Sequence, residues 1–186
     1  MSLAKRSEKG LLTPDNCVVA LIDHQPQMLF GITSIDRQTL INNVVGFSKA
    51  TKVFGVPTIL STVETKSFSG NIWPQLKAQF PDTRPIERSS MNSWDDAKFV
   101  AAIKASGRKK IVLAGLWTEV CVAFPTIQAI ADGYEVWWKT SVATSMSRRM
   151  MPQCAAWSRR GPNRSPGSRS CSSGSGTGPR GKPMTQ

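Results

Sequence analysis

A chain of 186 residues suits one domain with a real core and leaves little room for two. Its formal charge of +12 would suggest a nucleic-acid partner, but residues 139–186 hold nine of the 24 Lys and Arg and none of the 12 Asp and Glu, so residues 1–138 carry only +3. No stretch is long and apolar enough to cross a bilayer, and the N-terminal "MSLAKRSEKGLLTPDN" lacks the apolar centre of a signal peptide, so a cytoplasmic protein with no membrane partner is expected.

Up to about residue 136 short apolar runs alternate with amphipathic ones. "CVVALI" (17–22), "VPTILS" (56–61), "KIVLAGL" (110–116) and "YEVW" (134–137) read as strands. The first and third are continuous enough for a parallel sheet covered on both faces. Between them, Leu40, Ile41, Val44, Val45, Ala50, Val53 and Phe54 form a stripe at helical spacing. In "SWDDAKFVAAIKASG", Ser93 reads as an N-cap with Asp96 three residues on, Phe99, Val100 and Ile103 as the apolar face, and Gly107 as the stop. Strands alternating with helices predict an α/β fold with a doubly wound, mainly parallel sheet flanked by helices.

The pattern ends there. Residues 143–186 contain no Leu, Ile, Val, Phe, Tyr, Asp, Glu or His, so residues 139–186 read as a basic, low-complexity and disordered tail. An Arg-rich arm on nucleic acid is one reading, and its test is affinity that falls steeply with salt. The near absence of interleaved aromatics argues against nucleic acid as a partner. A shifted reading frame is favoured. When the last nucleotide of each codon joins the first two of the next, "WWKTSVATS" can become V-V-E-D-x-C-G-D-V. "RSPGSRSCSSGSGTGPR" can likewise give V-T-W-L-Q-V-L-L-E-W-Q-R-D-W-A, which is strand-like and then amphipathic. The direction corresponds to one nucleotide lost, or two gained, near codon 136.

In an open parallel sheet, ligands bind beyond the carboxyl ends of the strands. "ALIDHQ" places Asp23 there, "RPIERSSMNSW" delivers Arg88, and "KIVLAGL" runs into Trp117, Thr118, Glu119, Val120 and Cys121. A cysteine in the first turn of a helix has its thiolate favoured by the dipole and by unpaired N–H groups, which can also hold an oxyanion. Asp23 can take the thiol proton and return it to a leaving amine, while Arg88 stabilises anionic partners. Pro125 offers no N–H to the carbonyl of Cys121, so the helix should be perturbed beside the thiol. Each residue also has a plainer reading. Cys121 fits as a small buried residue, Asp23 as a strand-end cap and Arg88 as a surface charge. Trp73, Met91 and Trp94 either line a pocket or cover the sheet edge. His24 should point to the opposite side of its strand from Asp23 and is read as structural; Cys17 is read as core. The four cysteines show no C-x-x-C spacing, so free thiols are expected, with neither a disulfide framework nor a zinc site.

"ALIDHQ", "IERSSMNSWDD" and "LAGLWTEVCVAFPTIQAIADGYEV" together resemble the isochorismatase-like cysteine hydrolase superfamily, and within it the YcaC-like branch, over roughly residues 11–136. The resemblance implies a parallel sheet of about six strands. It also implies Cys121 as nucleophile, Asp23 as acid and base, and a non-proline cis bond between Leu116 and Trp117. The N–H groups of Trp117 and Cys121 would form the oxyanion hole. Gln25, Trp73, Asn92, Trp94, Thr118 and Glu119 would line the pocket of a small-molecule substrate. The implied reaction is hydrolysis of an amide-like C–N bond through a thioester, without a cofactor, in a homo-oligomer. Many superfamily amidases have a lysine as third catalytic residue; Arg88 stands here, and an arginine cannot shuttle protons, so its role would be electrostatic. "STVETKSFSG" has no histidines for a nicotinamidase-type metal, so no metal is expected and nicotinamide is disfavoured as a substrate. Without an in-frame C-terminal strand and helices, poor solubility or partial folding is expected, and activity of this form does not follow from the resemblance.

Overall fold

The computed structural model describes residues 11–138. Readings made on residues 139–186 (the Arg-rich arm, the disordered tail, the shifted frame and the sixth strand) lie outside the described residues. In chain order the elements are β1 (Cys17–Ile22), α1 (Pro26–Phe30), α2 (Arg37–Val53), β2 (Thr58–Val63), α3 (Pro74–Lys77) and β3 (Ile86–Arg88). A 3-10 turn (Ser93–Asp95), α4 (Ala97–Ala105), β4 (Lys110–Gly115), a π turn (Thr118–Val122), α5 (Ala123–Ala131) and β5 (Glu135–Trp138) follow.

The five strands form one parallel sheet in the order β3-β2-β1-β4-β5. All six residues of β1 are buried, as a central strand covered on both faces requires. Its side chains alternate between two cores. Val19 and Leu21 join Leu40, Val44, Leu60 and Leu76 on one face. Val18, Ala20 and Ile22 join Phe99, Ile103, Ile111, Leu113 and Cys121 on the other. From β1 the order runs outward to β2 and β3, and from β4 to β5. The exits of β1 and β4 therefore flank the topological switch point, where such sheets bind ligands.

Three local expectations shift. β2 begins at Thr58, not Val56, because the Val56 N–H donates to the Thr51 carbonyl (2.9 Å) and closes α2, while Pro57 has no N–H for a ladder. In α2 the inward residues are Leu40, Val44, Ser48 and Thr51. Val53 and Phe54 are exposed, since thirteen residues beyond Leu40 the helical rotation points Val53 away from the sheet. Ser93 is not a cap: Asn92 caps the 3-10 turn, and the Asp96 carboxylate accepts the Phe99 N–H (2.9 Å) to cap α4. Gly107 ends that helix at φ +68°, as its placement predicted.

Candidate active site

Asp23 follows β1 directly. Its N–H donates to the Ser61 carbonyl (3.0 Å), extending the β1–β2 pairing by one residue, and its backbone then turns through φ +56°, a conformation aspartate tolerates better than most. Arg88 closes β3, in register with Val63. Its Nη2 meets Asp23 Oδ2 at 2.5 Å, with the two side chains 1% and 0% exposed. Nη1 donates to the Ser90 carbonyl at 2.6 Å, whereas Nε has no partner. A buried ion pair needs extra hydrogen bonds to offset desolvation, and the Ser90 carbonyl supplies one.

Cys121 is fully buried in the π turn that links β4 to α5. Pro125 supplies no N–H to the Cys121 carbonyl, and the expected irregularity takes the form of this wider turn. Asp23 is coupled to the thiol both by charge and by hydrogen bonding. The Arg88 ion pair engages Asp23 Oδ2, and Oδ1 lies outside it. Three strand exits thus bring a carboxylate, a guanidinium and a thiol together. Among the described residues no group of three or more His, Cys, Asp or Glu is placed to hold a metal ion.

The electrostatics overturn one expectation. Burial, then the charge and hydrogen bond of Asp23, push the Cys121 thiol far up; Arg88 pulls it down and Glu119 adds to the rise. The start of a helix does not offset desolvation and an adjacent carboxylate here, so the thiol is pushed up and not down. Burial also raises Asp23, with Arg88 working against the rise.

Two backbone expectations are corrected as well. No peptide bond among the described residues is cis, so Leu116–Trp117 is trans, and the chain reverses instead through a left-handed Trp117 (φ 55°, ψ 69°). The Cys121 N–H donates to the Trp117 carbonyl (2.9 Å) inside the turn and is not a free oxyanion donor.

The expected pocket residues divide. Thr118 is buried beside Cys121 in the π turn, and Glu119 is close enough for its charge to reach the thiol. Trp94 shares the core of Cys121, with its Nε1 donating to Asp132 (2.8 Å). Asn92 is engaged by Asp95 (2.9 Å) and Gln128 (2.6 Å). Gln25 is not a pocket residue: its buried amide takes the Val63 N–H (2.9 Å) and donates to the carbonyls of Val63 (3.0 Å) and Gly70 (2.6 Å). Trp73 belongs to the other core, edge-on to His24 at 5.3 Å. His24 is fully buried with neither ring nitrogen partnered, and burial pushes it down to about 3, which suits the structural role read from the sequence. Sequence reasoning missed the Ser90 carbonyl, which carries no motif because it acts through its backbone.

The isochorismatase-domain family model matches residues 17–155. The chain belongs to the isochorismatase family. Among its relatives, the probable hydrolase YcaC of Escherichia coli K12 is 39% identical over 149 residues, 80% of this chain and 71% of the relative. The crystal structure of the E. coli YcaC gene product, described as an octameric hydrolase of unknown specificity, superposes with a TM-score of 0.72 at 39% identity, covering 80% of this chain and 72% of that one. YcaC from Pseudomonas aeruginosa, solved with hexane-2,5-diol and covalent acrylamide, gives 0.73 at 34% identity over 81% and 74%. These matches agree with the observed sheet, and they make this an isochorismatase-like chain of the YcaC type.

Proposed function

We propose that this isochorismatase-family chain is a cysteine hydrolase that cleaves an amide-like C–N bond of a small molecule. The observation that carries the reading is the convergence of Cys121, Asp23 and Arg88 at the exits of β4, β1 and β3, with one Asp23 oxygen outside the Arg88 ion pair and the carboxylate's charge reaching the thiol. Sulfur attacks the carbonyl carbon as the thiol proton passes to Asp23, forming the C–S bond and opening the C=O π bond onto oxygen. Asp23 gives that proton to the departing nitrogen, the C–N bond breaks, and a thioester remains. Water then adds to the thioester carbonyl and delivers a proton to Asp23; as the C–S bond breaks, the proton returns to sulfur and the acid leaves. Arg88 works against the rise that burial imposes on Asp23 and so favours the carboxylate while the base is needed, and its charge favours the oxyanion.

A raised thiol suits this scheme, because the proton leaves sulfur only when Asp23 accepts it in the attack. The covalent acrylamide on the P. aeruginosa relative supports the reading by chemistry: acrylamide is an electrophile that carries a primary amide. We extend the octamer of the E. coli relative to this chain as a homo-oligomer. Among the described residues no helix is long and apolar enough to cross a membrane. The test is amine release from a panel of small primary and secondary amides by the purified chain. Turnover that vanishes in Cys121→Ala supports the proposal, and turnover that survives this substitution overturns it.

A further inference from the structure

Trp117 connects the two halves of the site. It lies between β4 and the Cys121 turn in a left-handed conformation, at φ 55° and ψ 69°, where a bulky side chain is an outlier. Its carbonyl accepts two N–H groups of that turn, from Val120 (3.0 Å) and Cys121 (2.9 Å). The orientation of this one peptide therefore sets where the cysteine sits. Its indole reaches across to the other half. Nε1 donates to the Met28 carbonyl at 3.0 Å, within α1, which begins three residues after Asp23. The ring lies over Gly31, where a Cβ would stand 3.0 Å from both Cζ2 and Nε1 and 3.2 Å from Cε2. Gly31 has φ −74°, so nothing in its own backbone demands glycine; the space taken by the indole does.

We propose that Trp117 is a positioning residue: its indole, held by the Met28 carbonyl and seated on Gly31, latches the Cys121 turn to the β1–α1 segment that carries Asp23. The left-handed backbone persists because the side chain is fastened at its far end. Releasing the ring lets the peptide relax, moves the Cys121 N–H off the Trp117 carbonyl and takes the thiol away from Asp23. The proposal rests on the reading of Cys121 as nucleophile and Asp23 as its base.

The probe is acrylamide, with adducts on Cys121 and Cys17 quantified by peptide mass spectrometry between pH 5 and 10 in wild type, Trp117→Phe, Gly31→Ala and the double variant. Trp117→Phe keeps a ring but loses the donor; Gly31→Ala lifts the indole. Each should slow labelling of Cys121 by on the order of ten- to a hundredfold at neutral pH, the scale of a misplaced reacting group. The pH profile should move from the ionisation of Asp23 toward that of a free thiol. The double variant should be no worse than Gly31→Ala alone, because the smaller ring tolerates the added methyl group. Cys17, distant from the latch, should label unchanged and so report whether the fold is intact. A slowed Cys121 with an unmoved pH profile, or rates equal to wild type in both single variants, overturns the latch. A wild-type Cys121 that labels no faster than Cys17 overturns the nucleophile reading beneath it.

Discussion

Cys17 and Cys121 stand at opposite ends of two neighbouring strands, Cys17 at the start of β1 and Cys121 beyond the exit of β4, and both are buried. At each, burial is the largest influence and raises the thiol. Cys17 opens β1 in register with Lys110, and the charges of Lys110 and Arg108 work to lower its thiol. Cys121 faces Asp23, whose charge raises it further. By the sign of its neighbouring charges Cys17 is the better placed of the two. What it lacks is a base: its Sγ–H donates to the Thr13 carbonyl at 3.1 Å, an acceptor that cannot keep the proton. The difference teaches that this fold, on our reading, makes a nucleophile by supplying a proton acceptor and not by acidifying the thiol.

The largest effect that would break the comparison is removal of the base. Asp23→Asn leaves a group of the same shape that cannot take the thiol proton, so Cys121-dependent amide turnover should fall by roughly 10²–10⁴-fold, the range for a positioned general base. A fall under threefold would mean that the carboxylate does not distinguish the two cysteines. Arg88→Leu removes the other half of the pair and leaves a buried, unpaired carboxylate. Unfolding by denaturant at pH 7 should show a loss of about 3–5 kcal/mol. The loss should shrink at acidic pH, where Asp23 in the variant takes up a proton and no charge is left buried.

A smaller effect separates the neighbours Asp23 and His24. His24 in the folded protein sits near 3, below its ordinary 6.5, so its contribution is unchanged above pH 6.5 and stability falls as pH drops from 6.5 toward 3. At pH 5 the gap of 1.5 pH units amounts to about 2 kcal/mol. Asp23, raised in the folded state, has the opposite sign: its effect favours the folded state at low pH and is lost as pH rises through its folded value. His24→Phe, which breaks no hydrogen bond of either ring nitrogen, should therefore raise stability at pH 5 by about that amount relative to pH 7.5. An unchanged acid limb in thermal melts across this range would refute the assignment. The smallest effect concerns α5, whose outer face leaves Phe124, Ile127 and Ile130 exposed, 40–47% each. Ile127→Glu should reduce binding of an apolar-surface dye while leaving the rate of Cys121 labelling within about twofold.

Legibility followed burial. β1 and β4 were readable because strands covered on both faces must be apolar throughout, and their exits then put Asp23 and Cys121 at the switch point. Arg88 was readable as the end of a short extended piece, though not as a group whose other hand grips the Ser90 carbonyl. Periodicity failed where a local hydrogen bond decided the outcome. Asn92 and Asp96 outcompeted Ser93 for the caps, and Gln25 was drawn into the backbone of β2 and the Gly70 loop. The acidity of Cys121 was misjudged for a related reason, since sequence shows the helix start but not the depth of burial or the carboxylate packed against the thiol.

The most direct test of the account is the ratio of acrylamide labelling rates at Cys121 and Cys17 in the intact chain at pH 6–7, measured beside Asp23→Asn. The account expects Cys121 to label faster than Cys17 in wild type, with a rate that rises as Asp23 ionises, above the ordinary carboxylate range, and levels off well below thiol pH values. In Asp23→Asn the advantage should vanish. Equal rates for the two cysteines in wild type, or an advantage that survives Asp23→Asn, would contradict it.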